Sequence, residues 1–93
     1  MAKIIWTNRS IKDLKSIFEY ISLDSRLYAT RFVNKLVVRV DQLVEFPESG
    51  RIVPEKEDVT IRELIEGNYR IFYKMQRGKI TILRIHHSSK NFK

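Results

Sequence analysis

The apolar residues of this chain change their repeat once, and that change fixes the order of its elements. Behind Ser10 they recur at spacings of three and four, first at Ile11, Leu14, Ile17, Phe18 and Ile21, then at Ala29, Phe32, Val33, Leu36, Val40, Leu43 and Val44, until Pro47. Each run makes one apolar stripe on a helix. From Val59 the repeat falls to two, over residues 59–65, 69–75 and 80–86, which are rich in β-branched and aromatic side chains and read as strands. A short apolar run at Lys3–Trp6 predicts an opening strand. Ninety-three residues hold one core. The expectation is a single α+β domain over residues 1–93: an N-terminal strand, then an antiparallel two-helix hairpin packed on a small, mainly antiparallel β-sheet.

Local signals set the boundaries. Ser10 followed by Asp13 predicts the start of the first helix, which ends near Leu23; Asp24 and Ser25 offer the cap of the second, which Pro47 stops. Residues 46–55 form a turn-rich connection, partly extended around 51–53. Glu66-Gly67-Asn68 and Gln76-Arg77-Gly78-Lys79 carry hairpin chemistry. A three-residue first loop sets Ile65 opposite Tyr69, so that Ile61, Ile65, Tyr69, Ile71 and Tyr73 share one face. Arg62, Leu64, Arg70, Phe72 and Lys74 then share the other. A two-residue loop instead puts Arg62 with Ile71 and Arg70 with Glu63, mixing charge into the apolar face, which costs free energy unless paired. The odd loop is therefore expected. On the last strand Leu83 and Ile85 give the simpler core pattern, which sends Arg84 and His86 to the basic face.

Charge is segregated along the chain. Eighteen Lys and Arg stand against 11 Asp and Glu, for a net charge of +7, and residues 1–67 hold 11 of each sign. The whole excess lies in residues 68–93, where Arg70, Lys74, Arg77, Lys79, Arg84, Lys90 and Lys93 occur with no carboxylate. Such a segment attracts polyanions, nucleic acid above all; a merely solvated surface and an acidic protein partner are the competing readings. The absence of cysteine removes disulfides, thiolate metal sites and cysteine nucleophiles. No apolar stretch matches a secretory or membrane-spanning segment, so a soluble cytoplasmic protein with no membrane partner is expected.

On the expected basic face Arg62, Arg70, Lys74 and Arg84 surround Phe72, with Tyr73 one position away. Guanidinium groups bind phosphate through paired donors, and an aromatic ring offers a surface to a base. Metal-independent RNA cleavage needs a base for the ribose hydroxyl, cations at phosphorus and an acid for the leaving oxygen. Glu55 or a histidine, the three arginines, and His86 or His87 could fill those roles. Adjacent strand residues point to opposite sides, so at most one histidine enters a given site. Pairing of Arg62 with Glu63 or Glu66, and packing of Phe72 at the core edge, account for the same residues without function. Nothing in the spacing of His, Asp and Glu suggests a metal site, and no cofactor motif is present.

The order of parts resembles the RelE/ParE superfamily, the toxins of bacterial toxin–antitoxin pairs. The matching pieces are the Trp6 strand, Asp13-Leu14 and Ile17 with Tyr20-Ile21, the Phe46-Pro47 to Gly50-Arg51 link with Val53-Pro54-Glu55, Ile61-Arg62-Glu63-Leu64, Tyr69-Arg70-Ile71 with Tyr73, and Ile82 to His87. The resemblance implies a small toxin held inactive by a cognate antitoxin. It also implies two alternative activities on one fold, ribosome-dependent mRNA cleavage as the first reading and gyrase poisoning as the second, with a non-catalytic basic RNA-binding domain as a third reading of the chain. RelE-like members cleave ribosome-bound mRNA with basic residues on the sheet, and Arg62 and Arg70 match such positions. They commonly end in Tyr or His-Tyr, where this chain has Ser88-Ser89-Lys90-Asn91-Phe92-Lys93. ParE-like members poison DNA gyrase by binding it, and the His87 to Lys90 spacing is similar to endings of that branch. The resemblance favours His87 where strand parity favours His86. Lys74, Phe72, Tyr73 and Lys90 complete the expected nucleic-acid-binding set.

Overall fold

A computed structural model describes residues 2–89. Strand β1 (Lys3–Trp6) leads into helices α1 (Asn8–Ser22) and α2 (Arg26–Asp41), the second extended by a 3-10 turn at Gln42–Val44. Four strands follow: β2 (Arg51–Ile52), β3 (Ile61–Glu66), β4 (Tyr69–Gln76) and β5 (Lys79–His87). The sheet order is β1-β5-β4-β3-β2, antiparallel except for the parallel β1–β5 pair. The α+β architecture expected from the repeat change is the one observed. Among the described residues no helix is long and apolar enough to cross a membrane.

Both helices bury one stripe against one face of the sheet. Ile17, Phe32, Leu36 and Val40 meet Leu64, Ile71, Tyr73, Ile80, Ile82 and Ile85 in a single cluster. The caps differ in part from expectation. Thr7 caps α1: its Oγ1 accepts from the Ser10 amide at 3.1 Å, while Ser10 lies buried within the helix and donates its hydroxyl to Thr7 O. A hydroxyl one turn earlier serves better because Thr7 Oγ1 also donates to Ile82 O at 2.7 Å, tying the helix start to β5. Ser25 caps α2 as expected, accepting from the Tyr28 amide.

Two register features depart from the sequence reading. The β3–β4 loop is two residues, with Glu66 opposite Tyr69 and Ile65 opposite Arg70. Gly67 takes φ +58 at its first position, a conformation glycine adopts without a Cβ clash. The one-residue shift turns β3 over, so Leu64 is in the core and Ile65 is 44% exposed. Arg62, Leu64, Ile71 and Tyr73 then share the helix-covered face, and Glu63, Arg70, Phe72 and Lys74 the opposite one. The second feature is a bulge: β4 pairs Phe72 with Arg84 and Tyr73 with Ile82, leaving Leu83 as an extra residue. Ile80, Ile82 and Ile85 therefore all reach the core, which strict alternation forbids.

Candidate functional site

The face away from the helices centres on a buried ionic cluster rather than on free cations. Arg70 and Glu63 are adjacent-strand residues on that face, Glu63 fully buried and Arg70 nearly so. Arg70 Nε donates to Glu63 Oε1 at 2.5 Å and Nη2 to Oε2 at 3.1 Å. Glu55, from the connection between β2 and β3, takes Nη1 and Nη2 at 2.8 Å each. Arg51 Nε adds a 2.9 Å bond to Glu63 Oε2. At least four of the five guanidinium donors of Arg70 are thus directed at carboxylates. The Glu55 bonds foremost, and those to Glu63 after them, push the already high pKa of Arg70 further up. The two-residue loop is tolerated because Arg70 and Glu63 match each other on this face, while Arg62, which the same loop turns to the helix-covered face, is met by backbone carbonyls.

Arg70 also lies over the Phe72 ring, 4.8 Å from its centroid, and His86, opposite Arg70 in the register, packs edge-on to Phe72 at 5.6 Å. Glu55, Arg70 and His86 are therefore brought together, as the sequence reading of a base, a cation and an acid requires. The other candidates go elsewhere. Arg62, turned to the helix-covered face by the register, donates to Gly50 O at 3.1 Å and Glu48 O at 3.4 Å, pairing with neither Glu63 nor Glu66. Arg84 folds over the sheet edge onto Asp13 of α1, with Nε–Oδ2 2.8 Å and Nη2–Oδ1 3.0 Å, and Asp13 raises its pKa. The expected cluster of Arg62, Arg70 and Arg84 is not formed: the register turns Arg62 to the other face, and Arg84, which stands opposite Phe72 on the Arg70 face as expected, is drawn away by Asp13.

Phe72 and Tyr73 are both fully buried and present no ring to a base. Tyr73 instead clamps the 47–50 turn, its hydroxyl donating to Pro47 O at 2.8 Å and accepting from the Gly50 amide at 2.9 Å. Lys74 lies on the same face as Arg70, nearer the β4–β5 turn. Lys90 falls outside the described residues.

A groove of about 780 Å³ runs between the helices, the β3–β4 turn and the end of β5, lined in part by Tyr20, Tyr28, Phe32, Tyr69, His86 and His87. Its aromatic wall is continuous: Tyr28 to Phe32 at 6.2 Å, Phe32 to Tyr69 at 5.5 Å, Tyr69 to His87 at 5.5 Å. The Ser89 amide donates to His87 Nδ1 at 3.2 Å, so the neutral ring carries its hydrogen on Nε2. The two rings pack on different neighbours, His87 on Tyr69 and His86 on Phe72, yet both residues line this groove, so the expectation that at most one histidine enters a given site does not hold for it. Sequence reasoning missed Arg51 and Asp13 as partners and set the Arg70–Glu63 pairing aside together with the even loop. Glu63 was recoverable from the even loop; the Asp13–Arg84 contact joins residues 71 apart and leaves no local signal.

Residues 4–92 match the family model described as the ParE toxin of the type II toxin–antitoxin system parDE. The chain belongs to the ParE toxin family. This ParE-family chain is 37% identical over 91 residues to Toxin RelE2 of Caulobacter vibrioides, covering 97% of this chain and 99% of that one. Its backbone superposes on a chain of the chromosomal ParDE toxin–antitoxin system from P. aeruginosa with a TM-score of 0.75 and 26% identity, over 94% of this chain and 96% of that one. A chain of the RelBE2 toxin–antitoxin complex from Mycobacterium tuberculosis shares the fold, with a TM-score of 0.67 and 18% identity over 92% and 96% of the two chains. ParE-type and RelE-type names thus both occur among proteins similar to this toxin.

Proposed function

We propose that this toxin arrests growth by binding DNA gyrase, and that a cognate antitoxin holds it inactive in the cytoplasm. The observation that carries the reading is the commitment of the sheet arginines: Arg70 to two carboxylates, Arg84 to Asp13 and Arg62 to backbone carbonyls. A phosphate entering this face would have to displace charge-assisted bonds already made, so the surface suits recognition better than phosphoryl chemistry. The antitoxin assignment draws on the similar solved structures, both of which come from toxin–antitoxin systems. Chemistry here would use side chains alone, and no cofactor enters the proposal.

A second reading, metal-independent cleavage of ribosome-bound mRNA, is favoured by the convergence of Glu55, Arg70 and His86 around Phe72. In that scheme Glu55 takes the 2′-hydroxyl proton, Arg70 stabilises the phosphorane charge and His86 protonates the leaving oxygen. One experiment separates the two: express the toxin, map mRNA 5′ ends, and in parallel assay purified gyrase for supercoiling and cleaved DNA. Linear DNA with intact messages is the expected result. In-frame cuts in translated messages with unaffected gyrase would replace the first reading by the second.

A further inference from the structure

The acid-free segment of the sequence does not form one cradle; among the described residues its cations without an ion pair gather at the opposite end of the sheet from the aromatic groove. Lys3 of β1 stands beside Lys79 of β5, Lys79 stands opposite Gln76 of β4, and Lys74 stands opposite Thr81. Ile4 and Ile80 pack on the helix side, so the alternating positions Lys3, Lys79 and Lys74 project from the other face. Arg77 sits in the β4–β5 turn, exposed, and the turn is anchored to β1 by the Lys3 amide bonding Gly78 O at 3.1 Å. Among the described residues none of these four cations makes an ion pair. Lys74 acts electrostatically on Asp58, whose carboxylate accepts hydrogen bonds from the Thr60 amide and hydroxyl.

We infer that Lys3, Lys74, Arg77 and Lys79 form a docking surface for the sugar–phosphate backbone of duplex DNA. Neighbouring strands about 4.8 Å apart and a two-residue repeat of about 6.6 Å along a strand set the lysine stems at separations that flexible ammonium groups can match to successive phosphates. Residues 3–5 and 74–81 contain no aromatic side chain, so the surface offers nothing on which the bases of a single strand could stack. Duplex DNA also has the denser line of charge, and each neutralised phosphate releases more counterion than on a single strand. Such docking needs the chain alone and does not depend on which target the toxin poisons.

The test is fluorescence anisotropy of a labelled 20-base-pair duplex titrated with the full chain between 50 and 200 mM KCl. Four contacts give a slope of log K on log salt near −3.6, so affinity falls about 100-fold across that range. K3Q/K74Q/R77Q/K79Q should flatten the slope and lower the 50 mM affinity at least about 100-fold, while K3R/K74R/K79R keeps both. K12Q/R26Q/R31Q/K35Q removes equal charge from exposed helix positions and should leave the slope unchanged. Circular dichroism of each variant confirms the fold. Equal losses in the helix variant, an unaffected patch variant, or equal binding of single-stranded RNA of the same length would each overturn the inference. Because no gyrase is present, its failure leaves the proposed target untouched.

Discussion

Arg70 is the residue on which functional and structural roles collide. Replacing it by Ala leaves Glu63 fully buried with only the Arg51 bond, and breaking a buried pair in this way costs about 3–5 kcal/mol. Urea denaturation of Arg70→Ala should show that loss, so silenced toxicity in this variant speaks to folding before it speaks to catalysis. Glu55 is the cleaner probe. It is partly exposed and its removal leaves the Arg70–Glu63 pair intact, so Glu55→Ala should cost less than Arg70→Ala, about 1.5–3 kcal/mol for the two charge-assisted bonds lost. Tyr73 gives a pH-dependent counterpart. Burial raises the pKa of its phenol above the ordinary 10, so between the unfolded and folded values the native state holds the proton more tightly than the unfolded chain. Stability present below pH 10 is therefore lost as pH rises through the folded value. Tyr73→Phe should cost about 1–3 kcal/mol near neutrality, by leaving the Gly50 amide and Pro47 carbonyl without their partner, and should fall off less steeply above pH 10 in alkaline unfolding curves. At this scale the sequence made the candidates legible as residue types but not their partners. Arg62, Arg70 and Arg84 look alike in the sequence, and the fold gives one to carbonyls, one to two glutamates and one to a helix aspartate.

The elements were legible where periodicity decided them and illegible where a single inserted residue did. The stripes of α1 and α2 and the alternation of β4 set type and extent, since each position repeats the same signal. Loop length and the Leu83 bulge are one-residue events that reverse the facing of everything beyond them, and no repeated signal marks them. The rule that charge avoids an apolar face then favoured the wrong loop: Arg62 does join Ile71 on the helix-covered face, where the Gly50 and Glu48 carbonyls receive its guanidinium, while Arg70 and Glu63 pair with each other on the opposite face. The hairpin glycines test the corrected turns. Gly67 and Gly78 both have positive φ, 58 and 75, and Ala in the left-handed region costs about 1–2 kcal/mol at either. An added Cβ at Gly67 would also come within 3.3 Å of Phe32 Cε1, whereas at Gly78 it meets nothing. Gly67→Ala should therefore melt lower than Gly78→Ala, and thermal unfolding followed by circular dichroism ranks them.

For the whole molecule, the cohesion of the layers rests on a seam that neither helix nor sheet supplies alone. Parallel pairing of β1 with β5 stops at Trp6 and Ile82, so the upper edge of β5 would be left with open amides. Thr7 and Asp13 cover it: Thr7 bonds the carbonyls of Ile82 and Leu83, and Asp13 Oδ2 accepts the Ile85 amide at 2.9 Å while holding Arg84. The acidic residue thus acts as a missing strand and draws a cation of the acid-free segment off the surface. With Arg70 and Arg84 each held by carboxylates, Lys74, Arg77 and Lys79 are the cations of the acid-free segment that make no ion pair among the described residues, and Lys3 of β1 joins them at the far end of the sheet. Asp13→Ala should open this seam without disturbing the β3–β4 hairpin, which has its own register and its own ion pairs. Hydrogen exchange should accelerate at Ile85 and its β5 neighbours, with the amides of 62–66 still protected and a stability loss of about 1–3 kcal/mol. Uniform acceleration across both hairpins would mean that the seam holds the whole sheet together, and unchanged exchange at Ile85 would mean that water replaces the carboxylate without cost.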